Sequence, residues 1–455
     1  MREKMSVLTQ RKWPLIFFLL SLIANLSSIA VFYHIPYFDS LSKEYFDRAE
    51  NILDGKGDIE YYTYQGEFYS QPAIFRPPGY SFLIAGFQFV FGRNILMFTI
   101  FQIILLSSFS PVYYKIITNI FSNPKISKLT TFLMICFLPF YRLAVFREPG
   151  VFVGPLLLVA IYLVYKQKYF LSGVFIGLSV LFREDAILIL PLFFLTLLLF
   201  PFFFEEKISL SGRLRKSIVF LSLFFIGFVL IVTPWLIRNY VSFHKFPYFC
   251  TPKAGTVLVQ GIAEYDVDNR FHLEYSDNDL VRSEGYESWF PNADERNRAR
   301  LEKAKKIILE NPVWYLKVMV KRIPQYTYFI GGGGTTIHFM QTAKSFLYGK
   351  ATLSVVVKEL ISSFKSLWFS ILAAIQISIY YLFWLIGFAC LIKIKQIKLC
   401  IFFLIIPFSY MIHIVHHVEP RYFIPAIYFI IPVSAYGIYH RFIMPKVYKS
   451  LSNTL

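Results

Sequence analysis

The feature that most constrains this chain is a run of about twenty apolar residues, Trp13 to Tyr33, directly behind a basic start at Met1 to Lys12. Twenty helical residues at about 1.5 Å each cross a hydrocarbon core of roughly 30 Å. Comparable runs recur at 94–118, 129–146, 149–165, 169–182, 186–204, 217–234, 367–392, 399–415 and 422–440. The chain is 56% hydrophobic and only 16% charged, where soluble globules carry roughly a quarter of charged residues. The expected fold is an all-α polytopic membrane protein of about ten transmembrane helices, with interfacial helices in two large external loops.

The charges set a side. Ten crossings place 1–12, 119–128, 166–168, 205–216, 393–398 and 441–449 on one face, and these segments hold 18 Lys or Arg against Glu3, Glu205 and Glu206. That is the cytoplasmic bias of the positive-inside rule, with both termini inside. The other 25 of the 28 acids then lie outside. A net charge of +18 is therefore topology rather than a nucleic-acid face, since it is divided among short clusters between apolar runs. The first run reads as an uncleaved anchor, because the apolar part of a signal peptide is shorter. The stretch 80–91 is too short to cross upright and would invert every later loop, so it is expected to lie at the interface. Cys136, Cys250, Cys390 and Cys400 show neither a disulfide framework nor zinc spacing.

Three regions follow: a membrane module at 1–234 containing the first external loop (34–93), an external region with amphipathic helices at 235–366, and C-terminal membrane helices at 367–455. In the first loop Tyr45, Ala49, Ile52 and Leu53 repeat every three or four residues, which predicts an amphipathic helix ending at Gly55. The second carries a polar stretch from Glu264 to Asp294, a charged helix from Asp294 to Glu310 broken at Pro312, and the run Gly331 to Gly334. That run lacks the Gly-Lys-Ser/Thr ending of a phosphate loop and is expected to be a hinge.

The polar residues collect outside. Asp39 lies just past the first run, and an ionisable acid held at a helix end beside a cleft can serve as a general base for a hydroxyl. Merely solvated, it would do nothing. Arg76, before Pro77-Pro78, reads either as a snorkelling cation at a helix start or as a fixed charge for an anionic group. Arg147-Glu148-Pro149, Arg183-Glu184-Asp185, Arg238-Asn239 and His417 to Tyr422 fall on the same side. The apolar cores contain no Asp or Glu, whereas a transporter would more often carry ionisable groups within its spans. Adjacent His416 and His417 would not share a helix face as metal ligands do.

Asp39-Ser40 with Tyr45, Ala49 and Gly55, then Arg76-Pro77-Pro78-Gly79, resembles the start of the membrane-embedded C-superfamily glycosyltransferases that use polyprenyl-phosphate sugars. The type resembled is glycosyltransferase family 39, the dolichyl-phosphate-mannose protein mannosyltransferases with the bacterial lipid A aminoarabinose transferases. Arg147-Glu148-Pro149, Pro234 to Asn239 and Glu419 to Pro425 extend the similarity across most of the chain. The resemblance implies that Asp39 takes the acceptor's proton, that Arg76 contacts the lipid phosphate, and that Glu148 is the acidic residue of the second external loop. Where the lipid A enzymes carry an Arg three residues after the acid, this chain has Ser42 with Lys43 beside it. Arg421 is expected at the donor phosphate, and Lys43, Tyr45, Arg147, Arg238, Asn239, Glu419 and Tyr422 near the substrates.

The expected function is an inverting glycosyltransferase at the outer face of the cytoplasmic membrane, in cell-envelope, lipopolysaccharide or protein glycosylation. Its partners would be a polyprenyl-phosphate-linked sugar donor, a glycan, lipid or protein acceptor, and membrane lipid. No cofactor and no divalent metal are expected. Transfer from a sugar phosphate needs a base but no acid, because phosphate leaves as a stable anion; glycosidases need a carboxyl pair. A transporter or flippase of lipid-linked glycans is the alternative, and a purely structural membrane protein is the third.

Overall fold

Apolar runs become single long helices only where no backbone break interrupts them. The computed structural model describes residues 2–32, 39–64, 67–145, 147–204, 209–244, 249–250, 254–266, 270–273, 293–327 and 353–444. The first run forms α1 (Arg2–Phe32). Next come α2 (Asp39–Leu53), a hairpin of β1 (Ile59–Tyr64) and β2 (Glu67–Pro72), and α3 (Gly79–Phe91). The helices α4 (Ile95–Phe121), α5 (Pro124–Ile135), α6 (Leu138–Val145), α7 (Gly150–Tyr165) and α8 (Tyr169–Phe182) follow. A 3-10 turn (Glu184–Ile189) leads into α9 (Leu190–Phe204) and the long α10 (Leu210–Phe243). Beyond them are α11 (Ala254–Ala263), α12 (Ala293–Glu310) and α13 (Pro312–Thr327). The chain continues as α14 (Leu353–Lys393), α15 (Ile397–Tyr410) with a 3-10 turn (Met411–Val415), and α16 (Ile424–Ile438), which a 3-10 turn (Pro420–Phe423) precedes.

Among the described residues, six helical segments are long and apolar enough to cross a membrane: Lys12–Ala30, Ile95–Phe121, Leu210–Phe243, Ile371–Lys393, Ile397–Val415 and Arg421–Ile443. Apolar α7 and α8 have only 16 and 14 residues. The expected run 129–146 is two helices, not one. Pro139 cannot donate to Ile135 and its ring crowds that carbonyl, so the helix stops at Cys136 and restarts at Leu138. The hairpin corrects the purely helical expectation for the first loop. Its strands pair antiparallel from Ile59 with Pro72 to Tyr64 with Glu67, and are rich in the Tyr, Phe and Thr that favour strands. The helix predicted to stop at Gly55 does so, with that residue at φ +75°. Pro312 does not merely break a helix; it starts α13, where its missing N–H costs nothing. The run Gly331 to Gly334 lies outside the described residues.

The chain folds as two compact units. One comprises Met1–Thr251, Tyr381–Tyr410 and Ile424–Leu455. Its centre is α16, apolar on every side and therefore buried: 83% of the span Arg421–Ile443 is enclosed, against 17% for Lys12–Ala30. Glycines set the closest helix approach, since a Cβ at Gly173 would fall 2.0 Å from the Phe224 carbonyl oxygen and one at Gly227 2.1 Å from that of Phe170. Such small-residue contacts are how membrane helices come together. The other unit comprises Pro252–Tyr380 and Met411–Phe423. Its core joins Val259 and Ile262 of α11 to Ala304 and Ile307 of α12 and Tyr315 of α13.

Candidate functional site

Arg76 is fixed through its backbone. On α2, the buried Arg48 makes a two-pronged ion pair with Asp58 (2.8 and 2.7 Å) and donates from Nη1 to the Arg76 carbonyl at 3.0 Å. Glu60 of β1 accepts from Gln71 of β2 at 2.6 Å and from the Phe75 backbone N–H at 3.2 Å. Strand register, helix and loop thus converge on the residue pair Phe75-Arg76. The guanidinium of Arg76 lies 3.5 Å from Glu44 and is 22% exposed. Asp39 begins the same helix, four residues before Lys43, which is exposed.

Tyr45 is wall rather than open surface. It is 4% exposed and meets Tyr80 of α3 edge-on at 5.1 Å. Burial pushes its phenol well above the ordinary range against the pull of Arg76, while the charges of Glu44, Glu184 and Glu148 add to the rise. Tyr80 in turn donates to Gln102 of α4 at 2.6 Å.

The turns Arg147-Glu148-Pro149 and Arg183-Glu184-Asp185 form one charged assembly. Glu148, 7% exposed, accepts from Arg183 at 2.7 Å, and Arg183 also reaches Asp185 at 2.9 and 3.2 Å. Burial raises the Asp185 carboxyl above its usual range, partly offset by Arg183. Arg147 stands beside Glu148 at φ +54°, outside ordinary L-residue space, and its charge acts on Tyr80. Gly79 closes the gap to the first loop: a Cβ there would lie 2.6 Å from the Leu181 carbonyl oxygen, so α3 can start against the end of α8 only with glycine.

Arg238 and Asn239 serve the frame. Arg238 donates to the backbone carbonyls of Ala73 (2.5 Å) and Asp58 (2.6 Å), at the two feet of the hairpin, and to Asn239 at 2.9 Å. Asn239, fully buried, donates to the Phe249 carbonyl at 3.1 Å. They position the loop that carries Arg76.

In the other unit, Glu419 collects three partners. Arg421 approaches it at 2.5 Å, Tyr422 donates to it at 3.0 Å, and His417 Nε2 lies at 3.7 Å. His417 Nδ1 lies 3.4 Å from Glu264. Burial opposes charge on His417, but the two carboxylates outweigh it and lift the imidazole to about 9. Glu419 is held well below the usual carboxylate range: Arg421 and His417 overcome its burial. Among the described residues no three His, Cys, Asp or Glu side chains group as metal ligands do.

No family model matches the sequence, and no curated protein matches it. The structure does match one that has been solved: the archaeal oligosaccharyltransferase AglB from Archaeoglobus fulgidus, in complex with an inhibitory peptide and a dolichol-phosphate, with a TM-score of 0.53 at 13% identity. The fold resembles that of a membrane oligosaccharyltransferase. The match covers 98% of this chain and 52% of that protein, so the chain spans about half its length.

The sequence motifs pointed to Arg76 and Glu148 but not to what holds them. The sequence pattern assigned no role to Arg48, and it left Arg183 in a separate cluster 35 residues from Glu148. A signal for Arg48 existed: it lies one turn after Glu44, beside the apolar positions Tyr45, Ala49 and Ile52. The assembly in the first unit offers an accessible cation beside an acid and a carboxylate already neutralised by arginine. That can bind an anionic group and orient a hydroxyl near it.

Proposed function

We propose that the chain is a glycosyltransferase that moves a sugar, with inversion, from a polyprenyl phosphate to a hydroxyl acceptor at the outer face of the cytoplasmic membrane. The observation that carries this reading is Arg76, a cation whose backbone is locked by Arg48 and Glu60 while its guanidinium stays partly open. A fixed cation stabilises charge that develops on a departing phosphate without reorganising during the reaction. Asp39 is the base that takes the acceptor's proton, and attack opposite the phosphate inverts the anomeric carbon in a single displacement. Glu148, paired with Arg183, orients rather than deprotonates. From the sequence motifs alone Arg421 is assigned to a phosphate group, and within its own unit Glu419 and Tyr422 set its side chain. Ten crossings with both termini inside put these turns on the external side.

The fold shared with a dolichol-phosphate-bound oligosaccharyltransferase supports a polyprenyl-linked donor. The family 39 type, with a single sugar rather than an oligosaccharide transferred to a lipid, glycan or protein, rests on the sequence motifs. The test is transfer by purified full-length protein in detergent from labelled polyprenyl-phosphate sugars, without ATP or an ion gradient. Transfer that Asp39→Asn abolishes supports the reading. Movement of a lipid-linked glycan across proteoliposomes without transfer would instead make the protein a transporter.

A further inference from the structure

Helix α13 has two faces of different chemistry. Tyr315, Val318, Arg322 and Tyr326 are buried, whereas Val313, Leu316, Val320 and Ile323 are exposed by 67, 60, 58 and 37%. At about 3.6 residues per turn those four apolar side chains form one stripe along the helix. Lys317 and Lys321, both exposed, follow one edge of it one turn apart, and Leu309 at the end of α12 is 79% exposed. Among the described residues neither lysine has an ion-pair partner. Four large apolar side chains in line are not left to water without a reason.

The buried face says where the helix sits. Tyr315 donates its hydroxyl to the Val415 carbonyl and Arg322 donates to the Ile414 carbonyl at 2.9 Å. Both carbonyls belong to the turn Met411–Val415, the last turn of the membrane-crossing segment Ile397–Val415. A helix bonded to the end of a span is set at the height where hydrocarbon gives way to headgroups.

We infer that α13 lies in the bilayer interface, with Val313, Leu316, Val320 and Ile323 among the upper acyl chains and Lys317 and Lys321 on anionic phospholipid headgroups. An apolar stripe edged by lysines is the pattern of helices that lie in the interface plane. Lysine stems reach along apolar surface while the ammonium stays at the polar level. The helix is thereby a lipid-binding element at the membrane surface. This holds whether or not the chain transfers sugar.

The test uses full-length protein with Cys136, Cys250, Cys390 and Cys400 replaced by alanine, in nanodiscs of phosphatidylcholine with or without phosphatidylglycerol. Spin labels on Val313→Cys, Leu316→Cys and Val320→Cys are compared with one on Glu302→Cys, an exposed acid of α12. Three stripe positions are labelled so that one misfolded variant does not decide. Oxygen collisions should exceed those with a water-soluble nickel chelate several-fold on the stripe, and the ratio should reverse at Glu302. Removing phosphatidylglycerol should lower the oxygen preference, and Lys317→Gln with Lys321→Gln should abolish that lipid dependence. Nickel access on the stripe equal to that at Glu302 overturns the proposal, as does exclusion of both reagents, which would mean a protein cover from this chain or a second copy. No effect of phosphatidylglycerol overturns the headgroup contact.

Discussion

The roles proposed for Arg76 and Asp39 carry different expected signatures, since one would meet charge and the other would take a proton. Asp39→Asn keeps size and most hydrogen bonds but removes the acceptor, so kcat should fall by roughly 100-fold or more with little change in the donor's KM. A variant turning over within a few-fold of the parent would remove the base assignment. Arg76→Ala should lower the rate on the order of 100 to 1,000-fold, as loss of a donor facing developing negative charge does. Glu148→Gln should cost less, because Arg183 still has Asp185. At His417 the readout is pH. Its folded value of about 9 exceeds the ordinary 6.5, so its pairing with Glu264 and Glu419 stabilises fully below pH 6.5 and fades as pH rises through 9. Thermal unfolding in detergent should therefore shift downward across that window, and His417→Gln should start lower and stay flatter. The same slope in both proteins would assign the pH dependence elsewhere. His417 and Glu419 were legible as a polar cluster; Glu264, 153 positions away from His417, was not, because nothing in local spacing encodes that approach.

Among the elements, the hairpin is what fixes the backbone of Phe75-Arg76. It is built on Arg48 and Asp58, exposed by 1% and 8%, and on Arg238 at its feet. Removing one member of a buried ion pair leaves the other uncompensated, a loss of about 3–5 kcal/mol. Arg48→Met should thus lower stability strongly and depress transfer beyond the fraction unfolded, since the Arg76 carbonyl loses its tether. Melting and specific activity measured on the folded fraction separate the two effects. A destabilised variant with undiminished specific activity would mean that the tether does not matter to turnover. The strands escaped sequence reading because Ile59 to Pro72 is too short and too mixed in polarity to stand out beside a strongly periodic helix. The helices α2, α3 and α12 were legible for the opposite reason: each has a clear apolar period or an apolar run bounded by Gly or Pro. The break at Cys136 could have been read from Pro139, but an unbroken apolar composition outweighed it.

At the scale of the whole chain the deciding quantity is charge placement. Six helices long and apolar enough to cross fit a multi-pass membrane protein, while the side expected for the Arg76 and Glu148 turns rests on the lysines and arginines between spans. Eighteen basic residues against three acids on one face is an asymmetry that local packing does not produce. If α5 with α6, α7, α8 and α9 complete the ten crossings, 1–12 and 441–449 share the cytoplasm and 235–366 is external. Had 129–146 not crossed as a pair, every turn from Glu148 to Glu205 would change sides. The basic cluster of Lys207, Arg213, Arg215 and Lys216 would then face outward against the bias. Single cysteines at Ser276 and Ser452, in a background without the four native ones, should therefore differ in intact cells: an impermeant maleimide labels the first and spares the second until the membrane is opened. Equal labelling before lysis would break the ten-span topology, and labelling of the second alone would invert it. The donor phosphate would then have to be reached from the cytoplasm, and a polyprenyl carrier flipped outward would no longer be the substrate that the Arg76 turn could meet.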